Sequence, residues 1–369
     1  MLKSFPSLKT FLLPTGVKEA LGGCGIRTVR QVLCMRGHGR HRRLRVQALV
    51  LVAVVLVLLV GGYLIGRNLE NDAVEPRAQM SEGFGQYKEW IHEDTKYYEK
   101  TGQTRLLVMG VDRDTSQPQS GYRDGGQADF LMVLVIDHDA REIRQLQIER
   151  DTMASFQTLG IFGDVMGRRV MQICLSHAYG RDQKACARNT LDAVSRYLDN
   201  LDIDLYMALN FDSVPIVNDM LGGVTVKLED DFTFADPSMT KGSTVTLHGK
   251  LAETFVRSRM SVGDGTNASR QLRQRAWMSG AMDLFRSAIH DDASFGSKLI
   301  DALGDNMVSN VSQGRLVNEL NRAWKYTVQP VEQIAGTYSI GDDGFVEYHT
   351  DPEDVANWVL DVCYRPAEQ

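Results

Sequence analysis

"QADFLMVLVIDHDAREIRQLQIERDT", residues 127–152, contains two strand-like runs joined by a short polar connection. The first run, residues 129–137, is apolar almost throughout, whereas the second, residues 142–148, alternates between apolar and polar side chains. A third apolar run, "RLLVMGVD" at residues 105–112, precedes them. Because the connection "DHDARE" is short, the three runs are predicted to form an antiparallel meander.

Helical patterns alternate with further strand-like runs along the rest of the chain. This alternation predicts an α/β fold with a central mixed β-sheet flanked by helices, an α/β/α sandwich. The predicted helices are "ARNTLDAVSRYLDN" (187–200), a segment capped by Asp212 and ended by Gly222, "SRQLRQRAWMSGAMDLFRSAI" (269–289) and "PEDVANWVLDVC" (352–363), with strands "DLYMALNF" and "VTVKL" between them.

The N-terminal part of the chain has the pattern of a membrane anchor. Residues 46–66 contain one polar side chain, Gln47, and are long enough to cross a bilayer as a helix. An arginine-rich cluster precedes this segment, which predicts a cytoplasmic N-terminus and an extracellular C-terminal part in a single-pass membrane protein. A cleaved signal peptide is the alternative, although its apolar region is usually shorter.

Four regions follow from this organisation. Residues 1–45 are a basic cytoplasmic leader, within which Met35 is an alternative translation start, and residues 46–66 are the transmembrane anchor. Residues 67–102 are charged and polar and are interpreted as a partly helical juxtamembrane stalk. Residues 103–369 form the extracellular domain.

The charge of the outer part argues against nucleic acid as a partner. Residues 1–67 hold 11 of the 41 basic and one of the 47 acidic residues, which leaves 30 basic and 46 acidic residues and a formal charge of −16. Polyanions are disfavoured by such a surface. An arginine cluster in this part of the chain therefore indicates a local anion site.

Three of the five cysteines, Cys174, Cys186 and Cys363, lie in the predicted extracellular part, where disulfides persist. Cys174 and Cys186 bracket a polar loop of 11 residues and are predicted to pair. Two buried free thiols are the alternative. No cysteine or histidine spacing in the chain is typical of a zinc site.

Charged residues stand at the ends of the three predicted strands. Asp112 ends the first strand, Asp129 begins the second and Arg150 follows the third, so a meander brings all three to one end of the sheet. Two neighbouring carboxylates favour a cation between them, and Mg²⁺ (or Mn²⁺) suits oxygen ligands shared with phosphates. The alternative is that both aspartates serve turns.

A second set of residues carries guanidinium groups. Arg257 and Arg259 are two residues apart, and Arg270, Arg273 and Gln274 share one face of a predicted helix. Planar guanidiniums donate paired hydrogen bonds to phosphate oxygens. The pattern indicates a phosphate or pyrophosphate site, with a solvated basic helix face as the alternative reading.

The stretches "LLVMGVD", "ADFLMVLVID", "QIERDTM", "CLSHAYG", "MLGGVTV", "LHGKLAETFVRSRM" and "RQLRQR" occur in this order over residues 103–290. In order and spacing they resemble the LytR-CpsA-Psr family of membrane-anchored extracellular proteins of Gram-positive bacteria. The resemblance implies an α/β fold with a hydrophobic channel for a polyprenyl pyrophosphate lipid. It also implies Mg²⁺-dependent transfer of a lipid-linked glycopolymer, such as teichoic acid or capsular polysaccharide, to peptidoglycan.

The resemblance implies roles for individual residues of this chain. Asp112 and Asp129 match the metal-binding acids. The pyrophosphate-binding residues match Arg150, Arg257, Arg259, Arg270 and Gln274. Asp112, Asp129 and Arg150 are accordingly the predicted catalytic residues.

Two positions depart from the family pattern. Gln127 stands where members usually carry Arg, and Glu149 stands where Pro usually precedes the Arg-Asp pair. The lost guanidinium weakens the expected grip on the diphosphate, and Arg123 in the preceding loop is the proposed substitute.

Three function classes remain open at this point. They are a lipid-to-wall transferase, a metal-dependent hydrolase of polyprenyl pyrophosphates, and a non-catalytic binder of lipid-linked intermediates with a regulatory role. Asp151 is expected to orient Arg150, and His177 is either a general base or, more in keeping with its surroundings, a structural residue. Trp277, Met278 and Met282 line either a lipid channel or an ordinary core.

Overall fold

The computed structural model describes residues 89–113, 119, 121–259 and 262–367. The predicted leader, the predicted anchor and the first part of the predicted stalk lie outside these ranges. Within them, no helix is both long and apolar enough to cross a membrane.

The described ranges contain strands, helices and short 3₁₀ turns in alternation. The strands are β1 Glu89–His92, β2 Thr95–Glu99, β3 Gln103–Asp112, β4 Gln127–Asp137, β5 Glu142–Ile148, β6 Met153–Leu159, β7 Val165–Gln172, β8 Leu205–Asn210, β9 Thr225–Lys227, β10 Thr244–Thr246, β11 Met307–Ser309, β12 Thr327–Glu332, β13 Gly336–Ile340, β14 Val346–Thr350 and β15 Tyr364–Pro366. The helices are α1 Gln183–Tyr197, α2 Ser213–Met220, α3 Lys250–Arg257, α4 Asn267–Asp291, α5 Phe295–Leu303, α6 Gln313–Ala323 and α7 Pro352–Cys363.

Six strands form the central sheet, in the order β11-β8-β3-β4-β5-β12. The pairs β3/β4 and β4/β5 are antiparallel, which confirms the predicted meander. The pairs β3/β8 and β5/β12 are parallel, so the sheet is mixed, as predicted. The four segments predicted as helices are also helical, and α7 has the predicted bounds.

Both faces of the sheet are covered, which explains the nearly continuous apolar sequence of β3. Leu107 and Met109 face the main core, which includes residues of α1 and α7. Leu106 and Val108 face the opposite side, toward a cavity lined by residues of α2, α4, α5 and α6. The alternation of side chains along β3 therefore separates a packed face from a face with an internal space.

A β-bulge interrupts the β3/β4 ladder next to the proposed site. Gly110 pairs with Phe130 and Val111 pairs with Ala128, which leaves Asp129 as the additional residue of β4. Bulges change the direction of a side chain and are frequent beside active sites. Here the bulge is the local feature that sets the direction of the Asp129 carboxylate.

Residues 89–99, assigned to the stalk from sequence, instead form a hairpin of β1 and β2. Strand β2 pairs with β15 at the C-terminal end of the described chain. The Trp90 ring makes an edge-on contact with Tyr364, with ring centroids 5.5 Å apart. Because these aromatic side chains pack on the main core, the folded domain begins before residue 103.

Candidate functional site

Asp129 lies between two arginines that come from distant parts of the sequence. Its Oδ1 accepts a hydrogen bond from Arg150 Nη1, and its Oδ2 accepts one of 2.9 Å from Arg270 Nη1. The Asp129 side chain is 7% exposed and that of Arg270 is 5% exposed. The cost of removing both charges from water offsets much of the attraction in a buried ion pair. Such a pair therefore depends on well-formed hydrogen bonds.

Arg150 makes three further contacts that fix its guanidinium. Its Nη2 donates to Gln127 Oε1 at 2.7 Å and lies 3.3 Å from Cys174 Sγ, and its Nε donates to Asp151 Oδ1 at 3.1 Å. The expected orienting role of Asp151 is thus supported by a direct contact. Gln127, which the family pattern marked as a departure, serves here as an acceptor for Arg150.

Asp112 and Arg257 form a second, more exposed ion pair. Arg257 Nη2 donates to Asp112 Oδ1 at 2.9 Å, and the two side chains are about half exposed. Asp112 pairs in register with Gln127 of β4. It therefore lies on the strand adjacent to the one that carries Asp129. Arg257 also lies over the Phe211 ring, 4.8 Å from its centroid.

The remaining predicted arginines are not all directed to this centre. Arg259 Nε donates to the carbonyl of Gly265 at 3.2 Å, in the loop before α4. Arg123 is exposed and its guanidinium lies over the Tyr179 ring, 5.8 Å from its centroid. Among the residues that the structure describes, no contact of Arg123 supports it as a substitute for the missing arginine at 127.

Two neighbours on α4 differ in direction. Arg273 pairs with Asp230 at 2.9 Å and serves the loop that packs on α4. Gln274 lines the cavity, and its Nε2 donates to the Val256 carbonyl at 3.3 Å. The buried atoms Gln274 Oε1 and Arg270 Nε find no hydrogen-bond partner among the residues that the structure describes. Such atoms are costly to leave unpaired, so each requires a partner such as water, an ion or a ligand.

The structure contradicts the predicted disulfide, because Cys174 and Cys186 are free, buried thiols. Cys174 Sγ contacts Arg150, whereas Cys186 Sγ lies 4.0 Å from Gln119 Oε1. The two sulfurs therefore contact different side chains. Burial raises the pKa of Cys174 to about 12, although Arg150 lowers it. The thiol beside the site is therefore protonated at neutral pH.

His177 is structural. It is fully buried, and its Nδ1 lies 3.1 Å from the carbonyl oxygen of Gly125 in the long loop. Burial lowers the pKa of this imidazole to about 4. A ring that is inaccessible and only weakly basic is a poor general base, so the structure favours the structural role.

Three buried residues of the site have no role predicted from the sequence: Glu149, Asn267 and Gln271. Glu149 is 1% exposed, and its two oxygens accept hydrogen bonds from the side-chain amides of Asn267 and Gln271 on α4. Burial raises the pKa of Glu149, and Asp151 adds to the rise, while the two amides and Arg270 oppose it. The spacing of Asn267 and Gln271, one helical turn apart, was the available signal.

An apolar cavity of about 310 Å³ lies between the sheet and helices α2, α4, α5 and α6. Trp277, Met278 and Met282 line it, as the channel reading predicts. Phe130 and Gln274 also line it. Phe130 directly follows Asp129, and Gln274 lies one helical turn after Arg270. The cavity thus reaches the residues next to the buried ion pairs.

The predicted metal ligands form a small donor set. Across the described ranges, no group of three or more His, Cys, Asp or Glu side chains could hold a metal ion. Mg²⁺, however, is commonly bound by one or two carboxylates, with waters and substrate phosphates completing its shell. Each carboxylate oxygen of Asp129 has a second lone pair beyond its arginine contact. Asp112 and Asp129 therefore retain acceptor sites for such an ion, which would share them with the guanidiniums of Arg257, Arg150 and Arg270.

Comparison with known proteins supports the resemblance to the LytR-CpsA-Psr family. The model of the LytR_cpsA_psr family matches residues 69–355. A relative from Bacillus subtilis, named polyisoprenyl-teichoic acid--peptidoglycan teichoic acid transferase TagU, is 29% identical over 253 residues, which cover 68% of this chain and 73% of TagU. The Bacillus licheniformis protein of the same name is 31% identical over 181 residues, covering 48% of this chain and 51% of the relative.

Solved structures show the same fold. TagV from B. subtilis has a TM-score of 0.53 at 21% identity, with 71% of this chain and 97% of TagV covered. A structure titled "TagT bound to LI-WTA" has a TM-score of 0.54 at 17% identity, with 71% of this chain and 90% of TagT covered. On the match over residues 69–355, the chain belongs to the LytR_cpsA_psr family.

Proposed function

We propose that this protein transfers a glycopolymer, a teichoic acid or a capsular polysaccharide, from a polyprenyl pyrophosphate carrier to peptidoglycan. One observation carries the proposal in particular. The buried Asp129 is bonded by both Arg150 and Arg270, and the neighbouring residues Phe130 and Gln274 line an apolar cavity. A cationic centre next to an apolar space suits a lipid with a diphosphate headgroup. The transferase names of the relatives point to the same reaction.

In this proposal the arginines bind the diphosphate and the cavity holds the beginning of the isoprenoid chain. The Arg270 Nε is buried and has no hydrogen-bond partner among the described residues, so a phosphate oxygen can pair with it once the surrounding side chains move apart. Arg257 is exposed enough to contact a ligand. Asp112 is also about half exposed, so water can solvate its carboxylate when Arg257 turns to the ligand. Gln274, whose Oε1 is unpaired, lies where the headgroup and the chain meet.

The reaction is attack of a peptidoglycan hydroxyl on the phosphorus nearer the polymer. A new oxygen–phosphorus bond forms, and the bridging bond breaks so that its electron pair leaves with polyprenyl phosphate. Arg150 and Arg270 stabilise the charge that develops on the phosphate oxygens, which is the main requirement of phosphoryl transfer. The hydroxyl proton passes to water in this scheme, because both oxygens of Asp129 are held by arginines and Asp112 is a weak base once it binds a metal ion.

We further propose that Asp112 and Asp129 hold a Mg²⁺ ion, or Mn²⁺ in its place. When bound, the ion neutralises charge on the diphosphate. The predicted anchor at residues 46–66 would place the domain outside the cell membrane, where a lipid carrier and peptidoglycan are both accessible.

Product analysis tests the proposal. The full chain is incubated with a polyprenyl-pyrophosphate-linked sugar, Mg²⁺ and a peptidoglycan acceptor. A sugar–peptidoglycan conjugate is expected. Release of sugar phosphate to water instead would indicate a hydrolase, and binding without turnover would indicate a carrier or regulator. Either of those results, obtained with every component present, contradicts the transferase.

A further inference from the structure

We propose that Glu149 is a positioning residue that holds Arg270 against the diphosphate of the substrate by fixing the side chain of Asn267. This inference deepens the proposed function and rests on it for the identity of the ligand. Glu149 itself is buried, so its role is argued through its neighbours.

A continuous series of hydrogen bonds connects Glu149 to the ion pairs. Asn267 Nδ2 donates to Glu149 Oε1, and Asn267 Oδ1 accepts from Arg270 Nη2 at 2.5 Å. The other terminal nitrogen of Arg270 bonds Asp129. Arg270 is thereby held at both terminal nitrogens of its guanidinium.

The chemistry of an amide explains why Glu149 matters. One end of the Asn267 amide donates and the other accepts, so only one of its two orientations suits Arg270. An ionised carboxylate accepts but does not donate, and it therefore selects the orientation that turns Oδ1 toward Arg270. Without this acceptor, the amide could turn its NH₂ group toward the guanidinium, which would lose the contact.

Gln271 provides the matched control. Its Nε2 donates to the other oxygen of Glu149, one helical turn after Asn267, and both amides are buried. No hydrogen bond in the described part of the chain joins Gln271 to Arg270. If Glu149 served only to attach α4 to the sheet, the two amides would be equivalent. If Glu149 positions Arg270, only Asn267 matters for ligand binding.

The variants Glu149→Met, Asn267→Ala and Gln271→Met separate these cases in the full chain. Their binding to farnesyl pyrophosphate is measured by calorimetry. We expect Glu149→Met and Asn267→Ala to bind about tenfold more weakly, the range of one hydrogen bond to a charged group. Gln271→Met should stay within about twofold of the parent protein. Equal losses for Asn267→Ala and Gln271→Met would overturn the positioning role.

An exchange of donor and acceptor gives a rescue that packing alone does not predict. Asn267→Asp places a second carboxylate against Glu149 and should weaken binding. Adding Glu149→Gln restores a donor–acceptor pair, because the new amide donates to the carboxylate introduced on α4 while Arg270 keeps its acceptor. The double variant should regain most of the affinity, and failure to do so while folded would contradict the proposal.

A thermal unfolding cycle distinguishes this inference from the proposed function. Glu149→Met and Arg270→Met should shift Tm non-additively, and this coupling should shrink in an Asn267→Ala background if Asn267 carries it. If the parent protein fails to bind farnesyl pyrophosphate but coupling is present, the proposed function is wrong and the connection is purely structural. Additive shifts together with unchanged binding in Glu149→Met would reject the positioning role alone.

Discussion

The Arg270 guanidinium donates to the Asp129 carboxylate at 2.9 Å across 141 residues of sequence, and both side chains are almost completely buried. Strand β4 and helix α4 meet at this contact. Since Arg150 bonds the other oxygen of Asp129, one carboxylate organises two cationic groups beside the cavity.

Loss of the Asp129 charge should destabilise the fold. Asp129→Asn leaves the buried Arg270 without an acidic partner and Arg150 with Asp151 alone, and we expect a loss of about 3 kcal/mol in the free energy of unfolding. Asp112→Asn removes an exposed pair and should cost less than about 1 kcal/mol. Chemical denaturation of both variants measures the difference, and equal losses would contradict the buried network.

Arg257 should affect the ligand more than the fold. Arg257→Ala is expected to weaken binding of farnesyl pyrophosphate by about tenfold, as for one lost charge-assisted contact. Tm should fall only slightly, because the buried Glu253 loses Arg257 but keeps Lys250 as a partner. Arg168 is a matched control, because it is also a half-exposed arginine paired with an aspartate, Asp192, at 2.8 Å. Similar affinities of Arg257→Ala and Arg168→Ala would place the ligand elsewhere.

Filling the cavity should weaken binding of a ligand that carries a lipid chain but not binding of its headgroup alone. Met278 lines the apolar space, and Met278→Trp would occupy volume that the isoprenoid needs. We expect weaker binding of farnesyl pyrophosphate and unchanged binding of inorganic pyrophosphate. Calorimetry with both ligands checks this, and equal effects on the two would show that the cavity does not receive the chain.

Glu149 should give a defined pH dependence of stability. Burial raises its pKa in the folded protein above the unfolded value near 4.5, so the folded state binds the proton more tightly. As pH rises from about 4 through the folded pKa, the parent protein should lose stability relative to Glu149→Gln. Denaturation series at about pH 4 and about pH 7.5 measure the change, and a constant difference between the two proteins would be inconsistent with it.

The thiols should be reduced. Peptide mapping after alkylation under denaturing, non-reducing conditions should find Cys174 and Cys186 modified separately, in accordance with their different neighbours. In the native protein Cys174 should react slowly, because it is buried and protonated. A peptide pair linked through these residues would instead establish the disulfide.

The central strands were predictable because their patterns are local. The apolar runs of β3 and β4 and the short connection before β5 are sufficient to place Asp112, Asp129 and Arg150 at one end of the sheet. The partners of Asp129 were not predictable in the same way. The bulge at this residue and its contact with α4 depend on tertiary packing, which no local pattern encodes.

Two errors have related causes. The polar and charged composition of residues 89–99 was read as a stalk, although their aromatic side chains pack against the core and β2 pairs with the distant β15. The disulfide was inferred from the loop between two cysteines, whereas the direction of each sulfur is set by Arg150 and Gln119. Sequence spacing limits the separation of two side chains but does not set their orientation.

The transferred phosphorus tests the central claim most directly. The lipid-linked sugar is prepared with ³²P at the phosphorus nearer the sugar and incubated with the full chain, Mg²⁺ and peptidoglycan. Attack at that phosphorus predicts the label in the peptidoglycan conjugate, with unlabelled polyprenyl phosphate as the second product. Label that remains with the lipid, or appears only as free sugar phosphate, would contradict the transferase.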